Sequence, residues 1–258
     1  MNHLKLIFFA LLTCSINILI HQKINYEFLF IIILLCFLYK NLYSKDNIKQ
    51  SYRRLEILIP LINKLNIIKS IPKTNALNDY SASPDFLFSI VDIIEKYKPN
   101  IILEAGSGVS TIIASYGLKK YNPDGKIISL DHDKKYADTT KIEIKKHQLE
   151  QHSTIIHSPL IKYPKYKFKW YDIDNMIFEN KIDLIIIDGP PSKSGKFARY
   201  PAIPLLLDKM SDKAIIVLDD AKRKDEQEVI GKGKEEYNCF DYQYENNDKG
   251  ICIIKKIK

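Results

Sequence analysis

The sequence contains few cysteines, and it carries little excess charge outside its N-terminal segment. Four cysteines in 258 residues are too few for a small disulfide-stabilised scaffold. Of the formal net charge of +8, residues 1–54 contribute +5, so the rest of the chain carries only +3. That distribution does not indicate a nucleic-acid-binding protein, and we expect no nucleic-acid partner. Disorder is also excluded, because 46% of the residues are hydrophobic.

Two uncharged apolar runs lie near the N-terminus, at Leu6–Ile20 and Phe28–Tyr39. Each is shorter than the roughly 20 residues of a typical membrane span, but flanking apolar residues lengthen both, and the neighbouring lysines can extend to the membrane surface. We therefore predict a transmembrane helical hairpin in residues 1–45. A secretory signal followed by one anchor helix is the alternative, although no small-residue cleavage site follows Ile20.

The second apolar run is followed by a strongly basic segment. The positive-inside rule then places the rest of the chain at the cytoplasmic face of the cell inner membrane. Membrane lipid is an expected partner, since basic segments are attracted to anionic headgroups. Residues 46–79 are predicted to form a juxtamembrane linker, an amphipathic helix interrupted at Pro60 and followed by a loop around Pro72. The basic residues are Lys40, Lys45, Lys49, Arg53 and Arg54.

The remaining residues, 80–258, alternate short apolar runs with longer amphipathic stretches. Several runs are apolar on both faces, which is typical of strands in a mainly parallel sheet covered by helices, an α/β fold. Strands are predicted at Ile101–Glu104, Lys126–Asp131, Thr154–His157, Asp183–Asp188 and Ala214–Asp219. Helices are predicted at Pro84–Tyr97, Ser110–Lys120, Lys134–Gln151, Tyr200–Met210 and Asp225–Glu236.

The pattern changes after the last predicted helix. Cys239–Tyr244 and Ile251–Lys255 are two predicted strands separated by a short polar turn. They indicate a C-terminal antiparallel hairpin. An ordinary dinucleotide-binding fold would continue with a further crossover unit instead, so the hairpin points to a different α/β architecture.

The first predicted strand leads into a glycine-containing loop, Glu104–Thr111. Gly106 and Gly108 permit a sharp turn and a close approach to a ligand, and the helix that follows offers oriented N–H groups. The motif is weak by itself. Thr111 replaces the third glycine of the dinucleotide fingerprint, which argues against a bound pyrophosphate.

Carboxylates also end three of the other four predicted parallel strands. Asp131 ends the second strand, where its two oxygens can accept hydrogen bonds from both hydroxyls of a ribose. Helix capping is the alternative role for Asp131, but Asp133 is better placed as the cap. Three further acids are predicted to meet at the same edge of the sheet: Asp188, Asp219 and Asp220. They can supply a general base, a group that orients an acceptor, or oxygen ligands for Mg²⁺ or Ca²⁺. Asp219 or Asp220 could instead cap the next helix.

Seven motifs occur in order along this part of the chain: Glu104–Thr111, Ser129–Asp133, His157–Leu160, Trp170–Asp172, Asp188–Pro191, Ala198–Ala202 and Leu218–Ala221. With them, the chain resembles class I S-adenosylmethionine-dependent methyltransferases of the bacterial methyltransferase domain 24 group, over about Tyr80–Lys255. The resemblance implies a Rossmann-like seven-stranded sheet with the C-terminal hairpin, and S-adenosylmethionine as the cofactor.

Roles for individual residues follow from the same resemblance. It implies that the loop from Glu104 to Gly108 holds the methionine end of the cofactor, that Asp131 holds the ribose, and that the region of Ser158 lies near the adenine. Asp188 would face the transferable methyl group. The implied cofactor-binding residues are Glu104, Gly106, Ser107, Gly108, Thr111, Asp131, His132, Ser158 and Asp188. The predicted catalytic residues are Asp188, Asp220 and Arg199.

Asp188, Asp219 and Asp220 also resemble the acidic positions of metal-dependent catechol-type O-methyltransferases. Pro191 stands where those enzymes have their lysine base, so we leave a Mg²⁺ site open as an alternative and do not expect one. Arg199 is predicted to begin a helix and to bind a phosphate or carboxylate of the acceptor. The basic and aromatic segment Lys162–Tyr171 is predicted either to stack on an acceptor or to pack its rings inward.

The sequence thus predicts a membrane-anchored methyltransferase that acts on a small-molecule or glycan acceptor, such as a lipid-linked sugar. The anchor alone suggests that acceptor class. Two alternatives remain: a divalent-metal-dependent small-molecule O-methyltransferase, and a non-catalytic, membrane-tethered scaffold that binds a nucleoside.

Overall fold

The computed structural model describes residues 45–67, 82–163, 168–174, 176–178 and 180–257. The chain divides into two compact units, Met1–Tyr52 and Arg53–Lys258. The predicted transmembrane hairpin and the predicted loop around Pro72 lie outside the described residues. Among the residues described, no helix is both long enough and apolar enough to cross a membrane.

Helix α1, Lys45–Lys64, precedes the sheet and runs without a break through Pro60. The predicted interruption at Pro60 is therefore wrong. A proline in a helix interior removes one backbone hydrogen bond, here to the carbonyl of Glu56. Pro60 and Glu56 are both exposed, so water can bond that carbonyl, while Leu61 on the opposite side is fully buried and holds the helix on the body.

The sheet has seven strands in the order β3-β2-β1-β6-β7-β9-β8. Five of them are parallel, and β9 and β8 form the predicted antiparallel hairpin beside β7. The strands of this sheet are β1 Ile101–Ala105, β2 Lys126–Asp131, β3 Ser153–His157, β6 Ile182–Ile187, β7 Met210–Leu218, β8 Phe240–Glu245 and β9 Ile251–Lys256. A small separate hairpin consists of β4 Leu160–Lys162 and β5 Lys169–Tyr171. The predicted seven-stranded α/β fold is confirmed.

Each face of the sheet packs against its own hydrophobic core. One core contains α2 Pro84–Tyr97, α3 Val109–Tyr121 and α4 Lys134–His147. The other contains α5 Ala202–Leu206, α6 Lys224–Glu236 and the β4–β5 hairpin. Strand β6 shows why the apolar runs are continuous: Leu184 and Ile186 lie in the first core, and Ile185 and Ile187 lie in the second.

Two predicted helix boundaries are wrong. Helix α4 ends at His147 and not at Gln151, because Gln148 adopts a left-handed conformation and its N–H bonds back to Ile144. The predicted helix Tyr200–Met210 is only the five residues of α5 and a 3₁₀ turn, and β7 already begins at Met210. Proline explains the short helix, since Pro201 and Pro204 both lack the N–H that a longer helix would use.

Candidate active site

The acidic side chains predicted from the strand ends lie at the carboxyl edge of the sheet. Glu104 is in β1, Asp131 is the last residue of β2, Asp188 directly follows β6, and Asp219 and Asp220 follow β7. Strand β1 lies between β2 and β6, and β6 lies beside β7. These loops are therefore neighbours at the edge where open α/β sheets bind ligands.

The glycine loop after β1 is tightly packed against the loop after β6. Gly106 has φ +107° and donates its N–H to the carbonyl of Leu130 at 2.9 Å. A Cβ atom on Gly106 would lie 3.3 Å from the backbone nitrogen of Gly189. Gly108, with φ +153°, directly precedes α3. Both backbone conformations disfavour side chains, so the loop presents bare backbone toward the site.

Glu104 is fully buried beneath this loop. The hydroxyls of Thr111 and Ser129 both donate to its Oε2, each at 2.5 Å, whereas Oε1 is buried and has no hydrogen-bond partner. Burial raises the pKa of Glu104 to about 7, although the hydroxyl donors favour its charged form. Thr111 was predicted to bind the cofactor, and in the structure its hydroxyl donates to Glu104. Ser129 was missed, although it is directly paired with Glu104 in the β1–β2 register.

Asp131 is 5% exposed and is held from two sides. The hydroxyl of Ser107 donates to Oδ2 at 2.6 Å, and the N–H of Asp133 donates to Oδ1 at 3.0 Å. The ring of His132 is close, with Nδ1 3.7 Å from the same Oδ1. Asp133 accepts hydrogen bonds from the N–H groups of Lys135 and Tyr136, so its predicted role as the cap of α4 is confirmed.

Ser158 is buried beside the end of β2. Its N–H donates to the carbonyl of Asp131 at 2.8 Å, and its hydroxyl donates to the carbonyl of Asp172 at 2.9 Å. Ser158 therefore ties the loop after β3 to the segment after β5. The structure brings this predicted residue next to Asp131, with its side chain engaged by the protein backbone.

Arg199 lies in the centre of the acids that follow β6 and β7. Its guanidinium donates to the carbonyl of Asp219 at 2.8 Å, to the carbonyl of Asp188 at 2.6 Å and to Oδ2 of Asp220 at 2.9 Å. It also forms ion pairs with Asp188 Oδ1 at 3.6 Å and with Glu226 Oε1 at 3.4 Å. The predicted exposed arginine at a helix N-terminus is wrong, because Arg199 is 4% exposed and lies in the turn before α5. Its charge is occupied by protein carboxylates, which leaves it unsuited to bind an acidic acceptor.

The carboxylates around Arg199 differ in exposure. The side chain of Asp188 is 24% exposed, whereas those of Asp220 and Glu226 are almost fully buried. Both side-chain oxygens of Asp219 are buried without a hydrogen-bond partner, and burial together with the charges of Asp188 and Asp220 raises the pKa of Asp219 well above its usual range. Burial also raises the pKa of Asp188, and the charge of Arg199 opposes that rise. Asp188 is thus the acid of this cluster that is open to a bound molecule.

Tyr171 is a buried residue of the site whose role the sequence did not reveal. A Cβ atom on Gly189 would lie 2.4 Å from its hydroxyl oxygen, so the phenol occupies the space beside the loop after β6. Burial and the nearby charges of Asp131 and Asp188 raise the pKa of Tyr171 well above its usual range. The hydroxyl therefore stays protonated. The motif Trp170–Asp172 was the signal in the sequence, but it carried no assignment to the site.

Comparison with known proteins identifies this arrangement. Residues 103–221 match a protein-family model described as a methyltransferase domain. This part of the chain is a class I S-adenosylmethionine-dependent methyltransferase domain. The match contains the glycine loop, Asp131, Asp188, Arg199 and Asp220, and the predicted family is confirmed.

Solved methyltransferase structures share the fold. An O-methyltransferase from Bacillus cereus in complex with S-adenosylhomocysteine has a TM-score of 0.55 and 15% identity, over 85% of this chain and 95% of that one. A methyltransferase from Podospora anserina, also bound to S-adenosylhomocysteine, has a TM-score of 0.56 and 16% identity, over 83% and 97%. A Streptomyces achromogenes O-methyltransferase of tomaymycin synthesis, in complex with S-adenosylmethionine, has a TM-score of 0.55 and 10% identity, over 85% and 94%. No curated protein matches the chain significantly.

The residues of the methyltransferase domain fit its cofactor. S-adenosylmethionine carries a ribose diol and two cationic groups, a sulfonium and an ammonium. The carboxylate of Asp131 can accept from the diol, and the unpartnered Oε1 of Glu104 is a buried acceptor next to the glycine loop. The backbone of Asp188 and Gly189 lies where a side chain on Gly106 would stand, so only glycine fits at this point of the loop. The predicted cofactor-binding residues are unchanged: Glu104, Gly106, Ser107, Gly108, Thr111, Asp131, His132, Ser158 and Asp188.

The basic and aromatic segment Lys162–Tyr171 packs its described rings inward. Tyr163 is buried and donates its hydroxyl to the carbonyl of Tyr171 at 2.9 Å. Trp170 is fully buried, and Phe168 contacts the rings of Phe197 and Tyr200. Of the two predicted roles, these side chains support packing over stacking on an acceptor. Residues 164–167 lie outside the described residues.

Proposed function

We propose that this protein is an O-methyltransferase in which Asp188 accepts the proton of an acceptor hydroxyl. The observation that carries the proposal is the position of Asp188. Its backbone N–H donates to the carbonyl of Ala105 at 3.0 Å, which joins the loop after β6 to the start of the glycine loop. A partly exposed carboxylate therefore stands directly beside the predicted cofactor loop.

When bound, the cofactor supplies an electrophilic methyl group on a sulfonium that leaves as a neutral thioether. The protein has two tasks, which are to align the acceptor oxygen and to remove its proton. Burial raises the pKa of Asp188, which makes it a stronger base than an ordinary aspartate while Arg199 keeps the ionised form accessible. Tyr171 is buried beside Gly189 and stays protonated, so it lines the space next to the Asp188 loop with an uncharged side chain.

We further propose that the enzyme is anchored at the cytoplasmic face of the cell inner membrane by residues 1–45. Helix α1 supports this proposal, because the side chains of Tyr52, Leu55 and Ile59 are 67%, 41% and 55% exposed. Their spacing of three and four residues places them on one helix face. The apolar runs and Lys40, Lys45 and Lys49 precede this face in the sequence, and Arg53 and Arg54 directly follow Tyr52. An exposed apolar stripe with adjacent basic residues suits a helix that lies on a lipid surface.

The proposed location at the membrane surface suggests a class of acceptor. An enzyme held at this surface meets substrates that are made or carried there, and a glycan, a lipid-linked sugar or its precursor offers hydroxyl acceptors. A soluble small molecule is the other acceptor class, and the O-methyltransferase neighbours support O-methylation in either case.

A metal-dependent small-molecule O-methyltransferase is the second candidate. One observation favours it: Asp188, Asp219 and Asp220 each offer an oxygen, and these atoms lie within 4.8 Å of one another. The non-catalytic scaffold is the third candidate and predicts cofactor binding without transfer.

The test of the enzymatic proposal is transfer of label from S-adenosyl-L-[methyl-³H]methionine to membrane extracts and to soluble extracts. Replacement of Asp188 by Asn should reduce transfer about 10²- to 10⁴-fold, as expected for loss of a general base, and should leave cofactor affinity within a few-fold. Asp212→Asn is the matched control, because Asp212 is fully exposed near the start of β7, at the opposite edge of the sheet. An active Asp188→Asn enzyme would place the acceptor elsewhere. Cofactor binding with no transfer to any extract would favour the scaffold.

Membrane attachment has its own test. Full-length protein should stay with membranes after high-salt and carbonate washes, and deletion of residues 1–45 should release it. Protease added outside intact cells should leave the catalytic domain uncut. Release of the full-length protein by carbonate would contradict the anchor, and cleavage from outside would contradict the cytoplasmic location.

A further inference from the structure

The acids after β6 and β7 are held around a cation that the chain itself supplies. The guanidinium of Arg199 contacts backbone or carboxylate oxygens of Asp188, Asp219 and Asp220, and its Nε lies 3.4 Å from Glu226. These oxygens surround a side chain that is 4% exposed. The guanidinium therefore makes three hydrogen bonds to these oxygens, and its Nε, which has no hydrogen-bond partner among the described residues, faces the carboxylate of Glu226.

We propose that Arg199 takes the position and the electrostatic role that a divalent metal ion has in catechol-type enzymes, so that this acidic edge works without a metal. The inference rests on the proposed function, since it concerns how Asp188 is held for its role as the base. Arg199 is a positioning residue, because it acts through Asp188 and not on the substrate.

Two of the three carboxylates that a metal would need, those of Asp188 and Asp220, already lie beside an arginine. Oδ2 of Asp220 lies 2.9 Å from the guanidinium of Arg199 and 2.8 Å from that of Arg223. Oδ1 of Asp188 lies 3.6 Å from Arg199. A divalent ion bound to these atoms would have to displace at least one arginine and would lie beside a buried positive charge.

Asp219 is the third acid of the cluster, and both of its side-chain oxygens are buried without a hydrogen-bond partner among the described residues. Its backbone carbonyl accepts a hydrogen bond from Arg199 at 2.8 Å, so the guanidinium lies next to Asp219 as well. A divalent ion bound by Asp219 would therefore also lie beside this buried positive charge.

The same contacts explain what Arg199 does for the reaction. Its two terminal nitrogens donate to the carbonyls of Asp188 and Asp219, which follow β6 and β7. One side chain therefore fixes the ends of two neighbouring strands and the base between them. A lysine could supply the charge but not both hydrogen bonds in a fixed geometry.

The experiment is a Mn²⁺ titration of the full-length protein in mild detergent, followed by electron paramagnetic resonance. Wild type should show no saturable Mn²⁺ site in this cluster. Arg199→Met should gain one, with an affinity at least about tenfold above any wild-type binding, because a buried positive charge beside the ion has been removed. Addition of Asp188→Asn to Arg199→Met should abolish the new site. Arg223→Met is the matched control, since Arg223 is half exposed and touches only Asp220 among the three acids in the contacts described, and it should gain none.

Saturable Mn²⁺ binding by wild type that is lost in Asp219→Asn would overturn the proposal, and so would a folded Arg199→Met that gains no site. Fluorescence of Trp170, which is fully buried, reports whether a variant is folded. If Arg199→Met does not fold, Arg199→Lys decides: we expect no Mn²⁺ site and a kcat lowered at least about tenfold with little change in KM. A wild-type kcat in Arg199→Lys would exclude the positioning role. The Mn²⁺ titration needs no activity, so a failure of the proposed methyl transfer would be recognised separately.

Discussion

Replacement of Glu104 by Gln should make the stability of the domain less dependent on pH. Glu104 is fully buried, and its pKa is raised from an ordinary value of 4.5 to about 7. The native state therefore binds this proton more tightly than the unfolded chain does. The stability that comes from the proton is fully present below about pH 4.5 and is lost as the pH rises to about 7. Above pH 7 the native protein holds a buried, ionised carboxylate.

The size of the effect follows from the two pKa values. A difference between 4.5 and about 7 corresponds to about 3 kcal/mol. In Glu104→Gln the amide oxygen can still accept from the hydroxyls of Thr111 and Ser129, and the NH₂ group takes the place of the unpartnered Oε1. A buried NH₂ without an acceptor costs about 1–3 kcal/mol at every pH. The prediction therefore concerns how the difference between the two proteins changes with pH.

Urea unfolding at pH 5 and pH 8 measures that change. Trp170 is the only tryptophan of the chain and is fully buried, so its fluorescence reports the unfolding of this domain. We expect the free energy of unfolding of Glu104→Gln to gain about 2–3 kcal/mol relative to wild type between the two pH values. Asp219 and Glu226 also have raised pKa values, but they are common to both proteins and cancel in the comparison. The charge of Asp188 is one of the causes of the raised pKa of Glu104, so it belongs to the measured effect.

Cofactor binding gives an independent check on Glu104. If a cationic group of the cofactor pairs with the ionised side chain, binding must release the proton. Wild type should then bind S-adenosylmethionine about tenfold more tightly at pH 8 than at pH 6, because pH 6 lies about one unit below the pKa of Glu104. Glu104→Gln should show no such dependence.

For the urea experiment, the difference in free energy of unfolding between wild type and Glu104→Gln is the decisive quantity. If that difference stays constant within about 1 kcal/mol from pH 5 to 8, the reasoning for the apo protein is refuted.

Two further predictions concern the backbone and the ribose site. Gly106→Val should abolish binding of S-adenosylhomocysteine, because its Cβ would lie 3.3 Å from the nitrogen of Gly189 and its backbone has φ +107°. Asp131→Ala should weaken the same binding at least about tenfold, because the hydrogen bonds to the ribose are lost. Calorimetry that finds wild-type affinity in both would remove the cofactor assignment. Gly189→Ala should destabilise the domain by about 1–3 kcal/mol, because its Cβ would lie 2.4 Å from the hydroxyl of Tyr171. Tyr171→Phe should recover part of that loss in urea unfolding, and equal losses in both backgrounds would contradict the clash.

Much of the fold could be predicted because local signals agree with the tertiary structure. Helix α2 has the predicted bounds, Pro84–Tyr97, since the hydroxyl of Ser83 caps it and Pro84 occupies its first position. The parallel strands were recognisable from runs that are buried on both faces. Helix α5 was predicted too long, because the apolar pattern of Tyr200–Met210 outweighed its two prolines and did not reveal that β7 already begins at Met210.

The residues of the candidate site were also predicted only in part. The acids were found because each follows a parallel strand, and strand ends of that kind meet at one edge. Arg199 was misplaced because its burial depends on how the segment between β6 and β7, which contains only the short α5 and 3₁₀ turns, folds back against the end of β7. Ser129 was missed because its contact with Glu104 is set by the β1–β2 register, and a serine within a strand is common.

The C-terminal hairpin has a consequence for the order in which the enzyme matures during synthesis. Within the part of the chain that the structure describes, strand β8 pairs only with β9, and β9 lies between β7 and β8 although it is translated after both. The carbonyls of Lys249 and Gly250, just before β9, accept hydrogen bonds from the N–H groups of Lys222 and Ala221, next to Asp219 and Asp220. The acidic edge is therefore fixed only after β9 has left the ribosome. A nascent chain that has reached β8 carries every predicted catalytic residue and still lacks the strand that holds them in register.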